Sequence, residues 1–281
     1  MRGCDITDGT GMTTDDPIFQ SDYIRLKMCR HGPMMFNIND TLIGRQLDVY
    51  GEFHEIQGAL FREFVKAGDT AIDLGANIGG HTIPLAKHVG PQGRVIAFEP
   101  QRVIFTILCG NIALNTLQNV TPIRTAIGAE PGVIKVPAPD PRRAANFGAA
   151  PLFRDGDGET VSVMTIDQLQ LQSCHFMKVD IEGMEIAALH GARATIARHR
   201  PILYVENDRP DRSSALIAML LQGGYRLWWH MPPLFNPDNF FGKPDNIFGP
   251  MVSANMLCIP RERAAAPPLP EIMNTDARPV R

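Results

Sequence analysis

The sequence predicts an α/β fold, a mainly parallel sheet covered by helices on both faces, with ligands held at the carboxyl ends of its strands. Three observations predict it. Short apolar runs alternate with stretches of helical periodicity through most of the 281 residues. The segment Asp69 to Ala86, DTAIDLGANIGGHTIPLA, ends a buried strand in Asp73 and turns through Gly75, Gly79 and Gly80 into a helix. A second acid, Glu99, closes the next apolar run, VIAFEP.

Taken in order, the first sixteen or so residues are polar and glycine-rich, and residues 1–47 read as a tail and lead-in segment. DVYGEFHEIQGALFREFV, Asp48 to Val65, reads as one amphipathic helix whose Phe53, Ile56, Leu60 and Phe64 stripe faces the core. The glycine turn leads into a helix from about Ile78 to His88. GRVIAFEP is a strand, VIFTILCGNIALN a helix and NVTPIRTAIG another strand. GVIKVP and ETVSVMTID form a β-hairpin insertion across the loop APDPRRAANFGAAPLFRDGDG. HFMKVD is a strand running into IEGMEIAALHGARATIARHR, and PILYVEND a strand before the helix RSSALIAMLLQGG. YRLWWH and ANMLCIP are the last strands of a domain spanning 48–260, and residues 261–281, rich in proline and charge, read as a flexible tail.

Composition narrows the function classes. A net charge of −3 and a pI near 6.2 supply no pull toward nucleic acid or an anionic membrane, so a polyanionic partner is not expected. Cys4, Cys29, Cys109, Cys174 and Cys258 are scattered without C-x-x-C spacing, which argues against a disulfide framework or a zinc site and fits a reducing cytoplasm. No run approaches the roughly 18 apolar residues of a membrane span. The N-terminal residues show no secretory signal, and homo-oligomerisation is left open.

The glycine turn, Asp73-Leu-Gly75-Ala-Asn77-Ile-Gly79, departs from a dinucleotide fingerprint, G-x-G-x-x-G, at its middle glycine, where Asn77 stands. An acid at that strand end repels a diphosphate and suits a cation such as the sulfonium and ammonium of S-adenosylmethionine. Glu99, about two dozen residues on, occupies the place of a carboxylate that takes both ribose hydroxyls. Its alternative is a helix N-terminal acid, with Pro100 as the first helical residue.

Together, DLGANIGGHT, VIAFEPQ, NVTPIRTAIG, MKVDIEGMEIAALHGA and RPILYVEND resemble the FkbM family of S-adenosylmethionine-dependent methyltransferases, over roughly Tyr50 to Pro260. The resemblance implies a class I methyltransferase (Rossmann-like) fold, a seven-stranded sheet with one antiparallel strand and helices on both faces. It implies methylation of a small-molecule or glycan acceptor, commonly at oxygen on a sugar or secondary metabolite. It places Asp73, Gly75, Asn77, Gly79 and Thr82 around the methionine part of the cofactor, Glu99 on the ribose, and Thr125, Ala126 and Ile127 near the adenine.

A third set of residues carries the mechanism. Asp180 ends one strand with Glu182 just beyond, and Glu206, Asn207 and Asp208 end the next. Neighbouring strands lie about 5 Å apart, so these acids converge, and like charges that close disfavour joint ionisation. A metal ion, a shared proton, the sulfonium, or Lys178 and Arg209 can relieve the repulsion. Similarity to the magnesium site of catechol O-methyltransferases would transfer Mg²⁺ to Asp180, Glu206 and Asn207, although Gly183 stands where that enzyme type has a lysine. Candidate bases are Glu182, Asp208 and His230, the histidine favoured by its ordinary pKa and opposed by a packing role after Trp228-Trp229. Tyr50 and Glu52 are candidates to close over the cofactor's amino-acid end. Met231 to Gly249, aromatic and asparagine-rich, suits a lid over a sugar or polyol, or a loop whose phenylalanines plug the core. Arg142 and Arg143 suit either an anionic substrate group or a solvated surface. N-methylation, a catalytically silent S-adenosylmethionine-binding module and a nicotinamide-dependent oxidoreductase are the alternatives in function.

Overall fold

The computed structural model describes residues 14–148, 157–263 and 266–278. Most of the expected N-terminal tail, Cys4 with it, and the centre of the hairpin loop lie outside the described residues.

The lead-in segment carries a small antiparallel sheet of β1 (Phe19–Gln20), β2 (Ile24–Cys29) and β3 (Gly32–Asn37). The expected single helix from Asp48 is two, α1 (Ile43–Tyr50) and α2 (Glu55–Phe64). Gly51 at φ +67° and His54 at φ +44° break it between them. A Cβ on Gly51 would meet the Phe240 and Phe241 rings at 2.8 Å, so glycine both turns the chain and admits those rings. The break rephases the apolar stripe: Leu60 and Phe61 enter the core, while Phe53, Ile56 and Phe64 stay half-buried.

The main sheet begins with β4 (Thr70–Leu74), α3 (Thr82–Val89), β5 (Arg94–Phe98), α4 (Arg102–Leu114) and β6 (Val120–Ile123). The run expected as one strand after α4 divides, for β7 (Ala126–Ile127) joins β8 (Gly132–Val136) and β9 (Glu159–Met164), the predicted hairpin, in a separate three-stranded sheet. The chain returns through β10 (Phe176–Val179), α5 (Glu185–Gly191), α6 (Arg193–His199), β11 (Ile202–Glu206), α7 (Pro210–Gln222), β12 (Tyr225–His230), β13 (Asn255–Pro260) and β14 (Glu271–Ile272). Its order is β14-β12-β13-β11-β10-β4-β5-β6. β6 through β11 pair in parallel, and β13 slots between β11 and β12 antiparallel to both.

The sheet therefore has eight strands rather than seven. The extra one comes from the segment expected as a loose tail: Leu227 and Trp228 pair with Ile272 and Glu271, and Arg226 grips Glu271 through two bonds of 2.9 and 3.0 Å.

Alternation along the strands builds two cores. Ile72, Leu74, Met177, Val179, Leu203 and Val205 pack toward α5 and α7; Ala71, Phe176, Ile202 and Tyr204 pack toward α2 and α3. Replacing Phe61 by alanine should lower the unfolding free energy by about 3–5 kcal/mol. Phe64→Ala should cost clearly less, the reverse of what one unbroken helix implies; urea denaturation of the two variants decides it.

Candidate active site

The bend after β4 is held by its own backbone. Gly75 and Ala76 donate their N–H groups to the Phe98 carbonyl at 3.1 and 2.9 Å. Gly75 lies at φ +75°, and a Cβ there would sit 1.8 Å from the Asp180 carbonyl oxygen, so only glycine lets β4 and β10 meet. Asn77 follows at φ +48°, a left-handed conformation that asparagine tolerates.

Glu99 faces this bend. Its Oε2 accepts the Asn77 N–H at 3.0 Å and its Oε1 the Gln101 N–H at 2.8 Å. Burial raises its pKa to about 7, against the pull of those two donors. Each oxygen keeps a lone pair for a ribose hydroxyl. The alternative of a helix-terminal acid fails, because α4 begins at Arg102 and Pro100 lies outside it.

Asp73 takes another part than expected. It is fully buried and stands outside the cavity wall. Thr82 donates its hydroxyl to Oδ2 at 2.7 Å, and the Lys178 ammonium sits 3.2 Å from Oδ1. The same ammonium is 3.3 Å from Asp180 Oδ2 and donates to the Gly75 carbonyl at 3.2 Å. Burial alone would lower the Lys178 pKa, but Asp180 and Asp73 more than offset it and hold it above its ordinary range. The Asp73 charge is thus spent on Lys178 and not offered to a ligand.

Above this floor opens a cavity of about 880 Å³. Of the predicted site residues, Gly75, Asn77, Glu99, Asp180, Glu182, Glu206, Asn207 and Asp208 line it; Asp73, Gly79, Thr82, Ala126, Tyr50, Glu52 and His230 do not. Gly79 packs on Leu108, and Ala126 is buried in the hairpin sheet opposite Val163. Tyr50 donates its hydroxyl to the Asp245 carbonyl at 2.8 Å and accepts the Ile247 N–H at 2.9 Å. Glu52 accepts from Arg30 at 2.6 Å, Asn236 at 2.8 Å and the Phe240 N–H at 2.9 Å. Both clasp the long loop instead of covering a cofactor. His230 is bonded through Nδ1 to the Tyr204 hydroxyl at 2.8 Å, and burial pushes it down to about 4, so packing prevails over catalysis there. Arg142 pairs with Asp22 at 2.5 Å, and neither it nor Arg143 reaches the cavity. The supposed loose end does reach it, through Arg278.

Oxygens of Asp180, Glu182 and Glu206 all lie within 4.8 Å of one another. Burial, then the Asp180 charge, raises Glu182 to about 7, although Arg209 lies 2.9 Å from its Oε2. Burial, then Asp180, Asp208 and Glu182, raises Glu206 to about 11. The Asn207 amide nitrogen is committed to Ser213 Oγ at 3.0 Å and Met256 Sδ at 3.2 Å. Glu182 joins Asp180 and Glu206 in the converging carboxylate set, and Asn207 lines the same cavity.

Sequence reasoning missed His54, His81 and Trp229, which line the cavity and each hold a buried ring nitrogen without a hydrogen-bond partner among the described residues. Burial lowers His54 to about 4 and holds His81 well below its ordinary value. His81 was findable, since it directly follows the glycine bend; His54 was hidden inside the expected helix.

The reversed β13 beside β11, and a glycine bend where strand order switches direction between β4 and β10, define a class I methyltransferase fold. The Methyltransferase FkbM domain matches residues 73–227, more than half of the chain, and the protein belongs to that family. A solved FkbM methyltransferase from Methylobacillus flagellatus is similar at 18% identity and TM-score 0.47, covering 78% of this chain and 55% of that one. An S-adenosylmethionine-dependent O-methyltransferase from Thermotoga maritima is similar at 14% identity and TM-score 0.45, covering 85% and 79%. A curated relative, the Methanocaldococcus jannaschii tRNA(Phe) (4-demethylwyosine(37)-C(7)) aminocarboxypropyltransferase, is 46% identical over 55 residues, 20% of this chain. The chain spans 22% of that relative's length and 55% of the Methylobacillus chain. With a tRNA-modifying enzyme among the relatives, the charge-based expectation against nucleic acid gains no support here. No helix among the described residues is long and apolar enough to cross a membrane.

The acid cluster sets a pH dependence. An unfolded Glu206 releases its proton near 4.5, and burial beside Asp180, Asp208 and Glu182 holds the folded one well above that. Between these values the unfolded chain binds fewer protons, so stability falls as pH rises. The ligand-free protein should lose Tm steadily from about pH 5 to pH 9, and Glu206→Gln should flatten that slope; calorimetric scans across the range check it.

Proposed function

We propose that the protein is an S-adenosylmethionine-dependent methyltransferase acting on a hydroxyl of a small molecule. One observation carries this: the cradle of Gly75, Asn77 and Glu99 opens onto the three converging acids, Asp180, Glu182 and Glu206, in a single cavity. The cradle suits a nucleoside, and the acids suit the sulfonium that the nucleoside carries.

Methyl transfer is an in-line displacement: the acceptor oxygen forms a bond to the methyl carbon as the carbon–sulfur bond breaks and its electron pair returns to sulfur. Holding the oxygen at attack distance provides roughly 7–11 kcal/mol. A positioned base adds about 10²- to 10⁴-fold. Glu182 is that base in this reading, because its pKa near 7 matches a proton acceptor at neutral pH and it lines the cavity beside Asp180. Asp208 also lines the cavity, further along the same rim, and His230 is withdrawn from it.

A divalent cation is a second way to offset the burial and the like-charge repulsion that raise Glu206. The oxygen set of Asp180, Glu182 and Glu206 has the hard-donor chemistry of a Mg²⁺ site, and the ion would supply Lewis-acid stabilisation of the acceptor oxygen. Turnover abolished by EDTA and restored by Mg²⁺ assigns that role; turnover unchanged in EDTA leaves the proton to Glu182 alone.

Calorimetry should show S-adenosylmethionine binding that Glu99→Ala weakens roughly ten- to a hundredfold, the value of hydrogen bonds to a charged group. Tight binding of NAD(H) and none of S-adenosylmethionine overturns the proposal. Transfer of labelled methyl groups should rise with pH through about 7, the ionisation of Glu182. Glu182→Gln should cost about 10²- to 10⁴-fold in kcat and remove that acid limb.

A further inference from the structure

The residues expected near the adenine do not reach the cavity. Thr125 donates its hydroxyl to the Ser162 carbonyl at 2.6 Å, and Ala126 and Ile127, both 3% exposed, pair with Val163 and Met164 in the hairpin sheet. Strand order nevertheless fixes the direction in which a nucleoside would lie. Asp180, Glu182 and Glu206 stand at the ends of β10 and β11, Gly75 follows β4, and Glu99 follows β5, three strand spacings or roughly 14 Å from β11. With the ribose on Glu99 and the sulfonium toward the acids, the base falls on the far side of Glu99.

That end of the cavity is built by two segments outside the main sheet. Its wall is Leu42, Ile43, Pro100, Gln101, Asn146 and Gly148, and every cavity acid other than Glu99 follows β10 or ends or follows β11. Leu42 and Ile43 come from the lead-in segment, Asn146 and Gly148 from the loop of the β-hairpin insertion. The two segments are zipped together. Asn37 and Asn39 both donate their side-chain amides to the Pro141 carbonyl, at 2.9 and 3.0 Å. Thr41 donates its N–H to the Ala145 carbonyl at 3.0 Å, and Ala145 donates to the Asn39 carbonyl at 3.1 Å. Gln101, itself buried, ties the loop to the cradle by donating Nε2 to the Phe147 carbonyl at 2.7 Å. The parts meet at Gly148: a Cβ there would lie 3.4 Å from Asn77 Nδ2 and 3.6 Å from Ile43 Cδ1, so a branched side chain would crowd the space they line.

We propose, resting on the methyltransferase reading above, that the lead-in segment and the insertion loop together form the slot for the purine base of the cofactor. Leu42 and Ile43 pack against the ring, and Gly148 is left bare to admit it. The base is held by shape and apolar contact, since no carboxylate beyond Glu99 lines this end. The bonds that fix the slot run between protein groups alone, so it forms without the ligand.

Calorimetry with S-adenosylhomocysteine and S-ribosylhomocysteine tests this, because the two share the ribose and the amino acid and differ in the base. Burial of the ring should make S-adenosylhomocysteine bind roughly ten- to a hundredfold tighter. Gly148→Val, at a position whose φ lies outside the left-handed region, should remove most of that difference by weakening S-adenosylhomocysteine alone. Leu42→Ser, at the residue that caps α1 and where serine is well tolerated, should narrow it several-fold from the other wall. Thermal unfolding of each variant checks that the fold is intact. Equal affinity of the unaltered protein for the two probes, or S-adenosylhomocysteine affinity unchanged in both variants, overturns the slot and leaves the methyltransferase reading standing. Absence of S-adenosylhomocysteine binding by the unaltered protein overturns both.

Discussion

One buried ammonium holds the centre of the molecule together. Lys178 sits between Asp73 and Asp180 with its side chain 3% exposed, at 3.2 and 3.3 Å from the two carboxylates. Taking the Lys178 and Asp73 charges out of water is costly, and the group survives because the ammonium bridges Asp73 to the part-exposed Asp180 and also reaches the Gly75 carbonyl. That arrangement ties the ends of β4 and β10 together at the point where strand order reverses, the place in such sheets where ligands bind. Remove the ammonium and the buried Asp73 carboxylate loses its counter-charge beside the part-exposed Asp180, directly beneath the glycine bend.

The same ion pair divides the acids by task. Asp73 is neutralised from below and serves the floor. Glu182 and Glu206 lie above the floor beside Asp180 and Asp208, and burial first, then those like charges, raises their pKa values even with Arg209 against Glu182. A site whose carboxylates hold protons at neutral pH when empty gains most from a ligand that brings positive charge, and a sulfonium does. On the proposed function, electrostatic preference for the cofactor would come from the ends of β10 and β11, not from the end of β4.

The far wall depends on a different constraint. Glu52 and Tyr50, just where α1 gives way to Gly51, satisfy backbone groups of the loop between β12 and β13 that would otherwise be orphaned. Because the loop's polar side chains close on these partners and on one another, its apolar residues are left for the cavity. Arg278 reaches the cavity from the segment that follows β14, which pairs with β12.

The sequence by itself determined the layered α/β architecture, the glycine bend and the acid that faces it, because these depend on local signals: apolar periodicity, the conformational freedom of Gly75, and Glu99 at the end of the adjoining strand. It also brought Asp180, Glu182 and Glu206 to one rim, since strand order follows from connectivity. Tertiary structure decided what each polar group does there. Asp73 reads as a ligand-facing acid until Lys178 is seen against it, and His230 as a base until Tyr204 claims its ring nitrogen. The break at Gly51 and His54 and the added strand β14 were equally hidden, for each answers to partners about 40 to 190 residues away in the chain. A side chain's chemistry is written in its type, but its availability depends on which neighbour satisfies it first, and that is a property of the packed chain.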